Sequence, residues 1–97
     1  MRLLINDGTN HFAELADAVS TTDGFGDIEV ADLDLDGDLD LVHAIDLGPG
    51  ACRVWSNDGS GRFTTTTIFP STTRSRTVKI HDVDRDGFPD ILFANYG

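Results

Sequence analysis

The chain matches itself at a fixed spacing. Asn6-Asp7-Gly8 with Phe12 recurs as Asn57-Asp58-Gly59 with Phe63, and the acidic stretch Asp32 to Asp40 recurs as Asp82 to Asp90, at offsets of 51 and 50 residues. A period near 50 is the length of a propeller blade, a four-stranded sheet that cannot bury its faces without neighbours. In a chain of 97 residues this leaves room for about two such units and a modest core, so support from metal or partners is expected.

The residues between the loops alternate as strands. Ile28 and Val30 lead into the first acidic stretch and Leu41-Val42-His43-Ala44-Ile45 leaves it, while Val78 and Ile80, then Ile91-Leu92-Phe93-Ala94, repeat the pattern. Cys52-Arg53-Val54-Trp55, the turn Asn57-Asp58-Gly59-Ser60-Gly61 and the run Phe63 to Phe69 read as a hairpin. One complete blade is therefore expected over 27–69, with strands near 27–31, 40–46, 51–56 and 62–69. By the offset, 2–18 form a half-blade of strands three and four, and 77–96 a half-blade of strands one and two. Glu14 to Ala18 has helical propensity but falls on a fourth strand or its trailing turn, and only Ser71 to Ser75 of the Thr- and Ser-rich stretch need be loop. The fold predicted for residues 1–97 is all-β, with antiparallel four-stranded blades.

The acidic stretches carry the chemistry. Asp32, Asp34, Asp36 and Asp40 stand at positions 1, 3, 5 and 9 around Gly37, with Asp38 at position 7; Asp82, Asp84, Asp86 and Asp90 stand likewise around Gly87, with Phe88 at position 7. Calcium takes six to eight oxygen ligands, and a tightly turned loop with this spacing brings several onto one ion; glycine allows the sharp bend, and the main-chain carbonyl at position 7, from Asp38 or Phe88, supplies another. Without a cation the carboxylates would repel one another. An EF-hand would need Glu at position 12 and flanking helices, but His43 and Phe93 stand there between strand-like flanks. Magnesium prefers strict octahedral geometry with retained water, and zinc would find no His and Cys ligand set.

The net charge is −10, and nine of the seventeen acidic residues lie in these two windows. Two calcium ions per chain would bring the charge to −6. Such a balance argues against nucleic acid and against an anionic membrane surface. Met1-Arg2-Leu3-Leu4-Ile5 is too short, and too soon interrupted by Asn6-Asp7-Gly8, to read as a signal peptide or membrane span. Cys52 is the single cysteine and reads as a small buried residue.

On Asp-x-Asp-x-Asp-Gly-x-x-Asp at 32–40 and 82–90, with Phe25-Gly26 before the first and Asn-Asp-Gly-x-Gly-x-Phe at 57–63, the chain resembles the FG-GAP and VCBS repeats, the calcium-loop blades of integrin α-like propellers. Ser75-Arg76 replaces Phe-Gly in the second copy. The resemblance implies an adhesion or protein-interaction module at the cell surface or outside the cell. Propellers related to this pattern also bind glycans between blades, so a lectin is an alternative. Another is a designed or reconstructed repeat unit whose only ligand is calcium.

Half, whole and half make two blades, too few for a ring of four to eight. The expectation is a head-to-tail homo-oligomer, a trimer giving six blades or a tetramer giving eight. Trp55 reads as packed between blades or as a stacking face for a sugar, with Tyr96 similarly open. His43 reads as a packed histidine, His81 as orienting the second loop, and His11 as surface. Arg74, Arg76, Lys79 and Arg85 balance charge beside that loop or form an anion patch. No serine elbow, phosphate loop or isolated carboxylate pair suggests an enzyme.

Overall fold

The computed structural model describes residues 2–15, 26–46, 52–68 and 74–95. Every regular element among them is a strand: β1 (Leu4–Asn6), β2 (Phe12–Glu14), β3 (Ile28–Ala31), β4 (Asp40–His43), β5 (Arg53–Asn57), β6 (Phe63–Thr67), β7 (Ser75–His81) and β8 (Asp90–Asn95). They form an antiparallel four-stranded sheet in the order β3-β4-β5-β6 and the two-stranded sheets β1-β2 and β7-β8. The all-β reading and the four-strand unit stand as expected, and these sheets do not close into a ring within one chain.

The repeat extends to the register. Ile28↔His43, Val30↔Leu41 and Ala31↔Asp40 in the first copy are matched by Val78↔Phe93, Ile80↔Ile91 and His81↔Asp90 in the second. Such agreement follows from the side-chain period of two, because a slip by one residue would turn every apolar side chain to the other face. Several expected features, namely residues 16–18 of the first half-blade, Phe25, Gly48 to Gly50, Phe69, Ser71 and Tyr96, lie outside the described residues.

Several strand limits differ from expectation, and β4 ends at His43, short of the expected 46. β7 starts at Ser75 rather than beyond it, because the Ser75 amide donates to Ile45 O at 2.9 Å and its hydroxyl bonds Asn95 Oδ1, burying the residue completely. β5 runs on to Asn57, which the hairpin reading had placed in the turn. Gly26 also acquires a reason: a Cβ there would land on Ala44 O. At the equivalent position the second copy carries Arg76, and the β7–β8 ladder shifts register between Ser75 and Thr77. A bulge relieves the crowding that glycine avoids in the first copy.

The core lies between the large sheet and the β7–β8 sheet. Val42 and Ala44 from one pack with Val78 from the other, and Leu33, Val54, Ile68, Ile80, Ile91 and Phe93 close around them. Asp27 ties the sheets together by accepting the Thr77 hydroxyl at 2.8 Å and the Val78 amide at 3.2 Å. Lys79 reaches Glu29 at 3.0 Å beside it. The first strands of the two units, β3 and β7, thus lie side by side.

The Asp27 clamp is testable through pH. The Thr77 hydroxyl first, then the Val78 amide, hold the Asp27 carboxyl below its ordinary 3.8. Its folded pKa is therefore below the unfolded one, so its stabilisation is present above 3.8 and is lost as pH falls through the folded value. Asp27→Ala is expected to cost about 1–2 kcal/mol at pH 7. In urea titrations the gap between wild type and variant should narrow at pH 3; a gap independent of pH would mean that the charge contributes nothing.

Candidate metal centre

Each acidic loop is built by its own amides. In the first, the Asp36 N–H donates to Asp32 Oδ1 at 3.1 Å and Asp34 Oδ1 at 3.2 Å, and the Gly37 N–H donates to Asp32 Oδ2 at 2.8 Å. The Asp38 amide donates to Asp36 Oδ1 at 2.9 Å, and the Leu33 amide to Asp40 Oδ2 at 2.9 Å. In the second, Asp86 N–H reaches Asp82 Oδ1 at 3.1 Å and Asp84 Oδ1 at 3.2 Å, and Gly87 N–H reaches Asp82 Oδ2 at 2.9 Å. Phe88 N–H reaches Asp86 Oδ1 at 2.9 Å and Val83 N–H reaches Asp90 Oδ2 at 2.8 Å. All five bonds recur. Loops with Leu35 and Asp38 in one copy and Arg85 and Phe88 in the other adopt one geometry, so the shared aspartates and glycine determine it.

The backbone turns as the glycines require. Gly37 and Gly87 have φ of 96° and 95°, open to glycine without steric cost. Leu35 and Arg85 also have positive φ, 62° in both, a left-handed conformation that costs a non-glycine residue about 1–2 kcal/mol. Nothing in a leucine or an arginine signals this, and only the structure shows it.

The carboxylates converge as an ion would need. Oxygens of Asp32, Asp34 and Asp40 lie within 4.8 Å of one another, as do oxygens of Asp82, Asp84 and Asp86. Two ligands of one calcium at about 2.4 Å each stand no more than about 4.8 Å apart. The donor set is all oxygen, and the second lone pair of each amide-bonded carboxylate oxygen stays available, so these residues fit a hard divalent cation. The electrostatics agree: desolvation is the largest cause raising the Asp34 pKa, the Asp36 amide opposes it, and the charges of Asp36 and Asp40 add to the rise. A bound cation would reverse that repulsion.

The remaining predicted residues have distinct placements. Asp40 is 1 % exposed and accepts the Asn57 amide with Oδ1 at 2.8 Å besides the Leu33 amide, so it fastens the loop to β5. Asp38 turns its carboxylate toward the hairpin, where a Cβ on Gly59 would come within 2.6 Å of Oδ2. Phe88 exposes its ring and has only a main-chain oxygen to offer.

A family comparison matches residues 44–93 to the FG-GAP-like repeat. The chain belongs to the FG-GAP-like repeat family. That match starts at Ala44, just past β4, and runs through β5, β6, β7 and the whole of the second acidic loop into β8, so the FG-GAP repeat and the structural repeat share their most distinctive segment. Comparison with curated proteins and with solved structures returned no match.

Outside the loops, the FG-GAP unit places the other side chains as follows. His43 and Cys52 are buried and His11 is exposed beside Asp7 at 3.6 Å. His81 ends β7 on an exposed position. Arg76 meets Asp46 at 3.2 Å, so it and Lys79 are engaged in ion pairs between the two sheets. Sequence reasoning missed Asp27 because its partners lie about fifty residues away.

Proposed function

We propose that this FG-GAP-like chain is a calcium-stabilised propeller module that assembles head to tail into a ring and serves as an adhesion or interaction scaffold. The observation that carries the metal reading is the recurrence of the same five amide-to-carboxylate bonds in two loops of different intervening sequence. Asp32, Asp34, Asp36 and Asp40 with the Asp38 carbonyl would hold one ion, and Asp82, Asp84, Asp86 and Asp90 with the Phe88 carbonyl the other. Calcium supplies charge neutralisation and rigidity there, and the chain's own amides orient the ligands. Both loops sit at the corner between the first and second strands of a unit, so each ion would lock that corner. The calcium role is structural, and the module works by presenting a rigid surface rather than by catalysis.

Ring assembly is supported by what the single chain leaves uncovered. Leu4, Ile5, Phe12 and Leu92 expose large apolar side chains on the two small sheets, and both sheets end on unpaired edges. Three copies would give about six blades and four about eight, both within the range of closed propellers. The extracellular side suits the reading, because calcium at millimolar level there fills even weak sites. Trp55 does not serve the glycan alternative as a stacking face: it is only 6 % exposed, on a strand flanked by β4 and β6.

Light scattering at micromolar protein, with calcium and with EDTA, tests the assembly. The expected mass in calcium is three times that of the chain, falling on chelation; the mass of one chain in calcium would overturn the ring.

A further inference from the structure

The two small sheets are complementary halves of the large one. β7–β8 repeats β3–β4, and β1–β2 repeats β5–β6: Leu4↔Glu14, Ile5↔Ala13 and Asn6↔Phe12 occupy the places of Trp55↔Thr65, Ser56↔Thr64 and Asn57↔Phe63. In the large sheet the halves join along β4–β5, through Leu41↔Trp55, Val42↔Val54 and His43↔Arg53. At the end of that joint Asp40 Oδ1 accepts the Asn57 amide at 2.8 Å, and the Asn57 side-chain amide donates to Leu39 O at 3.2 Å.

Each half of this fastening waits on a free edge. Asp90 holds the Val83 amide with Oδ2, and among the described residues its Oδ1 receives no hydrogen bond. Asn6 accepts the Gly8 amide at 3.0 Å as Asn57 accepts that of Gly59 at 3.0 Å. The Asp7 amide bonds His11 O across the hairpin, so by strand alternation the Asn6 amide points out of the open edge. Gly8 has open space where Gly59 meets Asp38, and Phe88, the counterpart of Asp38, is 55 % exposed. The apolar positions agree: Val42 is fully buried and its counterpart Leu92 is 44 % exposed, while Trp55 is 6 % exposed and its counterpart Leu4 is 53 %.

We propose that the β1 edge of one copy pairs antiparallel with the β8 edge of another, setting Leu4 opposite Ile91, Leu3 opposite Leu92 and Arg2 opposite Phe93, and that the incoming Asn6 completes the second acidic loop by bonding Asp90. The junction rests on the ring reading above and gives it a register and a metal consequence. The first loop is fastened within one chain through Asn57. The second is fastened only between chains.

The test uses the full chain carrying Cys52→Ser to remove the native thiol. One preparation carries Leu3→Cys and a second Leu92→Cys; they are mixed, allowed to exchange and oxidised, so that a disulfide can form only between different copies. Directly opposed residues come close enough for a disulfide, whereas a neighbour on the other sheet face does not. A disulfide-linked pair is expected from Leu3→Cys with Leu92→Cys and none from Leu4→Cys with Leu92→Cys. In an Asp36→Ala background, which leaves only the second site, Asn6→Pro, which removes the outward main-chain N–H that Asp90 would accept while the edge strand tolerates proline, should weaken calcium binding about tenfold, as loss of a group that orients a ligand does. An oligomeric mass without the Leu3–Leu92 link, or unchanged calcium affinity in the Asn6 variant, would overturn the junction while leaving the ring. A monomeric mass in calcium would overturn both.

Discussion

Chelation of calcium by EDTA should lower the melting temperature by about 10 °C or more. A ligand at about one hundred times its dissociation constant stabilises the folded state by about 2.7 kcal/mol per site, and a domain of this size shifts by about 4–8 °C per kcal/mol. Two equivalent loops double the effect. Without a cation, desolvation first and then the charges of Asp36 and Asp40 raise the Asp34 carboxyl. Among the described residues the buried apolar set is small, made up of Val42, Ala44, Ile45, Cys52, Trp55 and Val78, so little else there can offset the loss. Calorimetry in calcium, in EDTA and in magnesium would read it directly. Equal melting in calcium and EDTA would mean that the loops are solvated acidic turns.

Asp40→Ala should be the most damaging single change among the loop aspartates. Its buried carboxylate accepts the Leu33 and Asn57 amides, and its removal leaves two donors without partners as well as an incomplete ligand set. Charge-assisted bonds of this kind contribute about 1.5–3 kcal/mol each, so a loss of about 3 kcal/mol is expected in urea denaturation even in EDTA. Asp90→Ala removes only the Val83 bond within the chain and should cost about half as much under conditions where copies are separate. Equal costs for the two substitutions in EDTA would show that the Asn57 bond contributes nothing. The comparison separates two roles that the sequence merges, since Asp40 and Asp90 stand at the same position of the same motif.

Which parts of the structure were legible depends on how local their causes are. The loop geometry follows from Asp at alternating positions and Gly37 or Gly87 at the bend, all within nine residues, so the motif alone predicted it. The strand register was legible for a related reason: the 50-residue offset carries Val30↔Leu41 onto Ile80↔Ile91, and alternation admits no slip. The left-handed Leu35 and Arg85 were hidden because neither residue type favours that conformation and the amide bonds around them impose it. Asp27 was hidden because the hydroxyl and amide that stabilise its charge come from the next sheet. The double duty of Asp40 was hidden in the same way, its second partner Asn57 arriving with the hairpin. Trp55 had two sequence readings, and only burial separates them.

Each acidic loop is proposed to hold one calcium ion. Titration calorimetry of the chelated protein with calcium measures this most directly. Two ions per chain are expected, falling to one in Asp36→Ala and to one in Asp86→Ala, with magnesium binding far more weakly. Absence of binding at millimolar calcium, or a stoichiometry unchanged by either substitution, would contradict it.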